Sequence, residues 1–154
     1  MTTDLSLLQL LRQETGVSFS VCKKALEEGE NNLEKAKKLL AKWGEKKAAD
    51  KADRATSQGV IASYVHHNKK LASLVELLTE TDFVSGNADF RKLGEEIAMQ
   101  VATMRPENVE ELLKQEYIRD SSKTIDGLIK DAILKFGENI KIGRMARWEL
   151  GDTA

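Results

Sequence analysis

The chain has 154 residues, room for a small module plus one compact domain, and its 41% hydrophobic and 32% charged residues are ordinary for a globular protein. With 24 basic and 25 acidic residues the formal charge is −1, which leaves no global basic field for nucleic acid, and one cysteine cannot form an internal disulfide. No run approaches the roughly 18 apolar residues of a membrane span, and the start Met1-Thr2-Thr3-Asp4 lacks the basic region and cleavage site of a secretory signal. The expectation is a cytoplasmic protein with no membrane partner.

Leu5, Leu7, Leu8, Leu10 and Leu11 predict a short amphipathic helix ended by Gly16, and Ser18 or Ser20 can cap a second that runs through Leu26 to Gly29. Asn31 or Asn32 then caps a third. Leu33, Ala36, Leu39, Leu40 and Trp43 repeat at helical spacing up to Gly44, so residues 1–44 read as a three-helix unit too small to bury much core. The next residues, 45–57, carry no large apolar side chain and read as a charged, solvated linker with some helical character.

From residue 58 the pattern changes to period two. Val60, Ala62, Tyr64 and Leu71, Ser73, Val75, Leu77 flank His66-His67-Asn68-Lys69-Lys70, the signal of an antiparallel hairpin. Thr81 to Asn87 reads as the turn into a helix from about Ala88, with Phe90, Leu93, Ile97, Val101 and Met104 on one side and Pro106 as its stop. A shorter helix near Val109 to Leu113 follows. Thr124 caps a last helix through Ile125, Leu128, Ile129, Ala132 and Ile133 to Gly137, and Ile140 to Leu150 alternate as a closing strand. The fold class expected for residues 58–154 is α+β, with helices packed on one face of a small antiparallel sheet.

Catalytic constellations are poorly represented. No Gly-x-x-x-x-Gly-Lys-Ser/Thr loop is present to cradle a phosphate. Cys22 lies in a helical pattern and reads as a small apolar filler, while His66 and His67, adjacent in a turn, lack the ligand count and spacing of metal sites. Glu95-Glu96 and Glu110-Glu111 read as solvated helix faces rather than acid–base pairs, and Trp43 and Trp148 as core rather than stacking platforms. No catalytic residue, metal or cofactor is therefore expected. That leaves an interaction protein.

Phe83 is the residue that stands out, a large ring beside Asp82 on a connecting turn. Such a ring is either a lid on the protein's own core or a wedge aimed at a partner, and the lid is the commoner of the two.

The run Thr81-Asp82-Phe83-Val84, followed by Asn87 and Phe90, resembles the signature of the elongation factor Ts family, bacterial type. Leu11-Arg12-Gln13-Glu14-Thr15-Gly16 with Cys22-Lys23-Lys24-Ala25-Leu26, Gly59-Val60-Ile61, and Lys135-Phe136-Gly137-Glu138-Asn139-Ile140 with Arg144 agree in the same order, so the resemblance covers nearly the whole chain. It implies a ubiquitin-associated-like opening module, a core domain of the type through which some short members pair two chains, and a guanine-nucleotide exchange factor for elongation factor Tu.

By the same resemblance, Thr81, Asp82, Phe83 and Val84 form the loop that enters the partner's nucleotide-binding domain near its magnesium, and Phe19, Ser20 and Lys23 lie in the module that grips the same domain. The chain departs from the longer members in lacking a second core subdomain and an extended helical hairpin, and it has Ser85-Gly86 where many members carry Ala and a larger residue, which predicts a more mobile loop. Two other classes stay open. One is a binding module that uses its helices to hold a different helical partner; the other is a small enzyme with an unrecognised site.

Overall fold

The computed structural model describes residues 2–152. Met1, Thr153 and Ala154, the outermost positions of the two expected domains, lie outside the described residues. The chain divides into two compact units, one of residues 1–53 with 130–138 and the other of residues 54–129 with 139–154. The fold is mixed α+β, as the sequence pattern indicates.

In the first unit, α1 (Leu5–Thr15) starts at Asp4, whose carboxylate accepts from the Ser6 and Leu7 amides, and ends at Gly16, which takes the left-handed conformation at φ 68°. Helix α2 (Phe19–Glu28) follows Ser18, whose side chain makes no capping bond. Helix α3 (Leu33–Lys51) is capped by Asn32, which accepts from the Lys35 amide. Leu8, Leu11, Cys22, Ala25, Leu26, Ala36 and Leu40 form the core, with Trp43 and Leu134 partly buried against it.

Helix α3 departs from expectation. It does not stop at Gly44 but continues through Glu45-Lys46-Lys47-Ala48-Ala49-Asp50-Lys51, so most of the expected linker is regular helix. These residues are mostly strong helix formers and need no apolar stripe to extend a helix already nucleated. Gly44 serves packing rather than termination, for a Cβ there would stand 3.0 Å from the Lys130 carbonyl.

In the second unit, β1 (Gln58–Val65) and β2 (Leu71–Thr79) form the expected hairpin, and β5 (Ile140–Glu149) pairs with the other edge of β2, giving an antiparallel sheet of order β1-β2-β5. Helix α5 (Ala88–Met104) packs on one face, where Val75, Leu77, Phe90, Ile97, Ala98 and Val101 are fully buried. Its Gly94 allows close approach, since a Cβ would meet the Ala62 methyl at 3.0 Å. The register places Ile61, Val65, Leu74 and Trp148 on the opposite face, all exposed, Trp148 by 83%. Trp148 is thus not a core residue. Alternation from Ile140 and Ile142, which lie on the core face, would have kept it inside; a register shift in β5 between the Leu77–Ile142 and Val75–Met145 pairs moves it to the outer row, and nothing among the described residues covers that row.

The last helix, α7 (Ile125–Phe136), begins after Thr124, whose hydroxyl accepts from the Gly127 amide, and ends at Gly137, left-handed at φ 74°. Between α6 (Val109–Lys114) and α7 lies a small ladder that the sequence did not announce, β3 (Glu116–Tyr117) with β4 (Asp120–Thr124). Its residues are mostly polar and too few to show alternation. Tertiary bonds hold it instead: the fully buried Gln100 donates to the Glu116 carbonyl at 2.9 Å and accepts from the Ile118 amide at 3.0 Å, and the Tyr117 hydroxyl donates to Glu96 at 2.8 Å. Burial, and then the Glu96 carboxylate, push the Tyr117 hydroxyl up to about 12.

No helix among the described residues is long and apolar enough to cross a membrane.

Candidate functional site

The segment that leaves β2 is built from local capping chemistry. Thr81 sits in extended conformation with its hydroxyl toward the Val84 amide at 3.5 Å, and Asp82–Ser85 close a single helical turn, α4. The expected open turn is therefore a one-turn helix. Its carbonyls are satisfied in order, Thr81 by the Ser85 amide at 3.2 Å and Asp82 by the Gly86 amide at 2.9 Å. Asn87 then caps α5 by accepting from the Asp89 amide at 2.8 Å.

This turn is anchored on one side and bare on the other. Ser85 is buried, its hydroxyl bonds the Asp82 carbonyl at 3.3 Å, and its own carbonyl accepts from Arg91 Nε at 3.3 Å. Gly86 adopts an ordinary right-handed conformation at φ −82°, so the loop does not use a glycine's freedom there. Asp82 and Phe83 point to solvent, and Phe83 is 89% exposed. It covers no core. Val84 is half-buried and joins the turn to the unit beneath.

The N-terminal candidates lie in the other unit. Phe19 and Lys23 are one helical turn apart on α2 and share a face; Phe19 is 49% exposed, and Lys23 pairs loosely with Glu27 at 3.9 Å. Ser20, exposed, is displaced around the helix, its hydroxyl 3.4 Å from that of Ser18.

The groups weighed for chemistry occupy unreactive settings. Cys22 is fully buried, and burial pushes its thiol up, away from a nucleophilic thiolate. The His66 and His67 rings lie 4.2 Å apart, and His66 Nδ1 is bonded to the Tyr64 hydroxyl at 2.8 Å. No group of three or more His, Cys, Asp or Glu side chains suited to a metal occurs among the described residues.

Sequence reasoning missed Glu80 and Asn139, which meet at the foot of the turn. The Asn139 amide donates to Glu80 Oε1 at 2.8 Å, and the Asn139 side chain donates to the Arg54 carbonyl at 2.9 Å. Asn139 stood inside one motif stretch and Glu80 immediately before another. What marked them was polarity at a strand end beside apolar neighbours.

Two family models match this chain, "Elongation factor Ts, mitochondrial, N-terminal" over residues 1–50 and "Elongation factor TS" over residues 80–154. An elongation factor Ts of Coprothermobacter proteolyticus is 40% identical over 99% of this chain and 100% of its own length. The chain belongs to the elongation factor Ts family. Another member, from Thermosipho melanesiensis, is 38% identical over 95% of this chain and 97% of its own, and one from a Synechococcus strain is 36% identical over 99% and 70%. The elongation factor Ts family is one of translation elongation factors. Its second matching segment opens at Glu80, immediately before the turn that carries Phe83.

Proposed function

We propose that this chain is a guanine-nucleotide exchange factor that binds elongation factor Tu carrying GDP and speeds GDP release without covalent chemistry of its own. The observation that carries this reading is Phe83, an exposed aromatic ring on a capped, anchored turn beside an exposed carboxylate. Phe83 is the most exposed large apolar side chain among the described residues, and aromatic anchors with a neighbouring charge are typical of binding hot spots.

The mechanism is differential binding. Asp82 and Phe83, shaped by Thr81 and Val84, fit the partner's distorted nucleotide site better than its closed one, so their insertion favours the state in which magnesium and phosphate contacts are lost. By reciprocity GDP or GTP weakens the grip of the factor, which then recycles. Phe19, Ser20 and Lys23 add affinity from the N-terminal module of residues 1–44 without touching the nucleotide site. A dimer forms by pairing two copies through the open sheet face, where Ile61, Leu74 and Trp148 stand uncovered.

Stopped-flow release of a fluorescent GDP from elongation factor Tu tests the exchange reading. Acceleration that saturates with factor concentration is expected. Release at the intrinsic rate at every concentration would overturn it.

A further inference from the structure

The turn that carries Phe83 leaves the sheet at a point where all three strands are laced by one carboxylate and one amide. Glu80 follows the last residue of the central strand β2, Asn139 precedes the first residue of β5, and Arg54 lies shortly before β1. The Glu80 carboxylate accepts the Asn139 backbone N–H on Oε1 at 2.8 Å and meets Arg54 Nη1 with Oε2 at 3.5 Å. Asn139 adds two bonds of its own. Its carbonyl accepts from the Thr79 hydroxyl at 3.2 Å, and its side-chain amide donates to the Arg54 carbonyl at 2.9 Å. Thr79 is fully buried, Asn139 is 2% exposed, and the Glu80 side chain is 17% exposed, so these bonds are shielded and costly to leave unmade.

Geometry makes this cluster more than a strand closure. Thr79 already pairs with Ile140 in the β ladder, so the sheet is registered there without help from Glu80. What Glu80 adds is a fixed direction for the backbone that continues into Thr81, the cap of the turn. We propose that Glu80 and Asn139 are positioning residues for the Phe83 turn, holding its base rigid so that insertion of Phe83 strains the partner instead of bending the factor. This rests on the exchange reading above. The physical need is plain: a wedge transmits its binding energy only if its own mount does not yield, and a mount ordered in advance spares that entropy on binding.

The test compares full-length wild type with Glu80→Ala, Glu80→Gln, Phe83→Ala and the double variant Glu80→Ala/Phe83→Ala in GDP release from elongation factor Tu, measured across factor concentration. Removing a hydrogen-bond acceptor that carries charge should lower the saturating release rate about tenfold. The half-saturating concentration should stay within about twofold, since the N-terminal module still binds. Glu80→Gln keeps an acceptor for the Asn139 amide and should recover most of the rate.

In the double variant, Glu80→Ala should add no further loss beyond Phe83→Ala, because a mount has no effect without its wedge. A purely structural residue behaves otherwise, lowering the rate equally in both backgrounds, and that result overturns the proposal. So does a Glu80→Ala protein that saturates at the wild-type rate. If Glu80→Ala fails to fold, Arg54→Ala decides, since it removes only the outer ion pair and leaves the Arg54 carbonyl in place. A reduced saturating rate there, absent in the Phe83→Ala background, supports the proposal, and an unchanged rate overturns it. Failure of the exchange reading looks different, for then wild type itself does not accelerate release and the positioning role falls with it.

Discussion

Arg144 on β5 is held by Glu76 of the neighbouring strand through both its backbone and its guanidinium, the Arg144 amide and Nε donating to Glu76 Oε1 at 2.8 Å and 2.9 Å and Nη2 reaching Oε2 at 3.2 Å. Between the Val75–Met145 and Leu77–Ile142 pairs, two residues of β5 oppose Glu76 alone, which is a β-bulge. The bulge leaves an amide without a ladder partner. The carboxylate supplies the acceptor.

That pair predicts a pH dependence. The Arg144 side chain, then its amide, hold the Glu76 carboxyl below its ordinary value of 4.5. A carboxyl depressed in the folded state contributes stability that is present above the unfolded value and is lost as pH falls through the folded one. Thermal midpoints of wild type and Glu76→Gln should therefore differ most at neutral pH and converge below about pH 4.5. A constant difference across that range would count against the linkage.

Phe83→Ala should leave the melting temperature unchanged, because the ring is 89% exposed. GDP release should nevertheless slow tenfold for each roughly 1.4 kcal/mol of lost stabilisation of the open partner. Phe90→Ala is the internal control. That ring is fully buried, and its truncation should cost about 3–5 kcal/mol of fold stability, enough to melt a small domain. Asp82→Ala should act like Phe83→Ala but more weakly, since the apolar wedge remains.

Phe19→Ala and Lys23→Ala should raise the factor concentration needed for half-maximal exchange and leave the saturating rate alone. Substitution is a cleaner probe than cutting the chain after residue 57, because residues 130–138 belong to the same compact unit as residues 1–53, and Leu134 packs on that unit's core. A changed saturating rate in either variant would mean that the module acts on the nucleotide site as well.

Light scattering at micromolar concentration should report a dimer of the 17.2 kDa chain, and Trp148→Asp should return it to a monomer. The substitution places a charge on an already open sheet face, so the monomer should melt as wild type does at concentrations where both are dissociated. A clean wild-type monomer would remove the pairing.

The one-dimensional pattern carried most of the architecture. The hairpin from Gln58 to Thr79, the helix beginning at Ala88, the caps at Asn32 and Thr124 and the glycine stops at Gly16 and Gly137 are all local rules of periodicity and capping, which depend on neighbours a few residues away. The motif stretches likewise placed the chain in its family. Tertiary structure decided what depends on partners distant in the chain. Gly44 reads as a stop in the sequence, and the nearby Lys130 carbonyl makes it a contact instead. The Glu116–Thr124 ladder has no pattern of its own and exists because Gln100 and Glu96, on another element, satisfy its polar groups. Phe83 is the sharpest case, since apolar rings drive themselves inward wherever a core is within reach. Only the anchored turn beneath it, with Ser85 buried and Phe83 facing solvent, shows that the ring is not a lid on its own core.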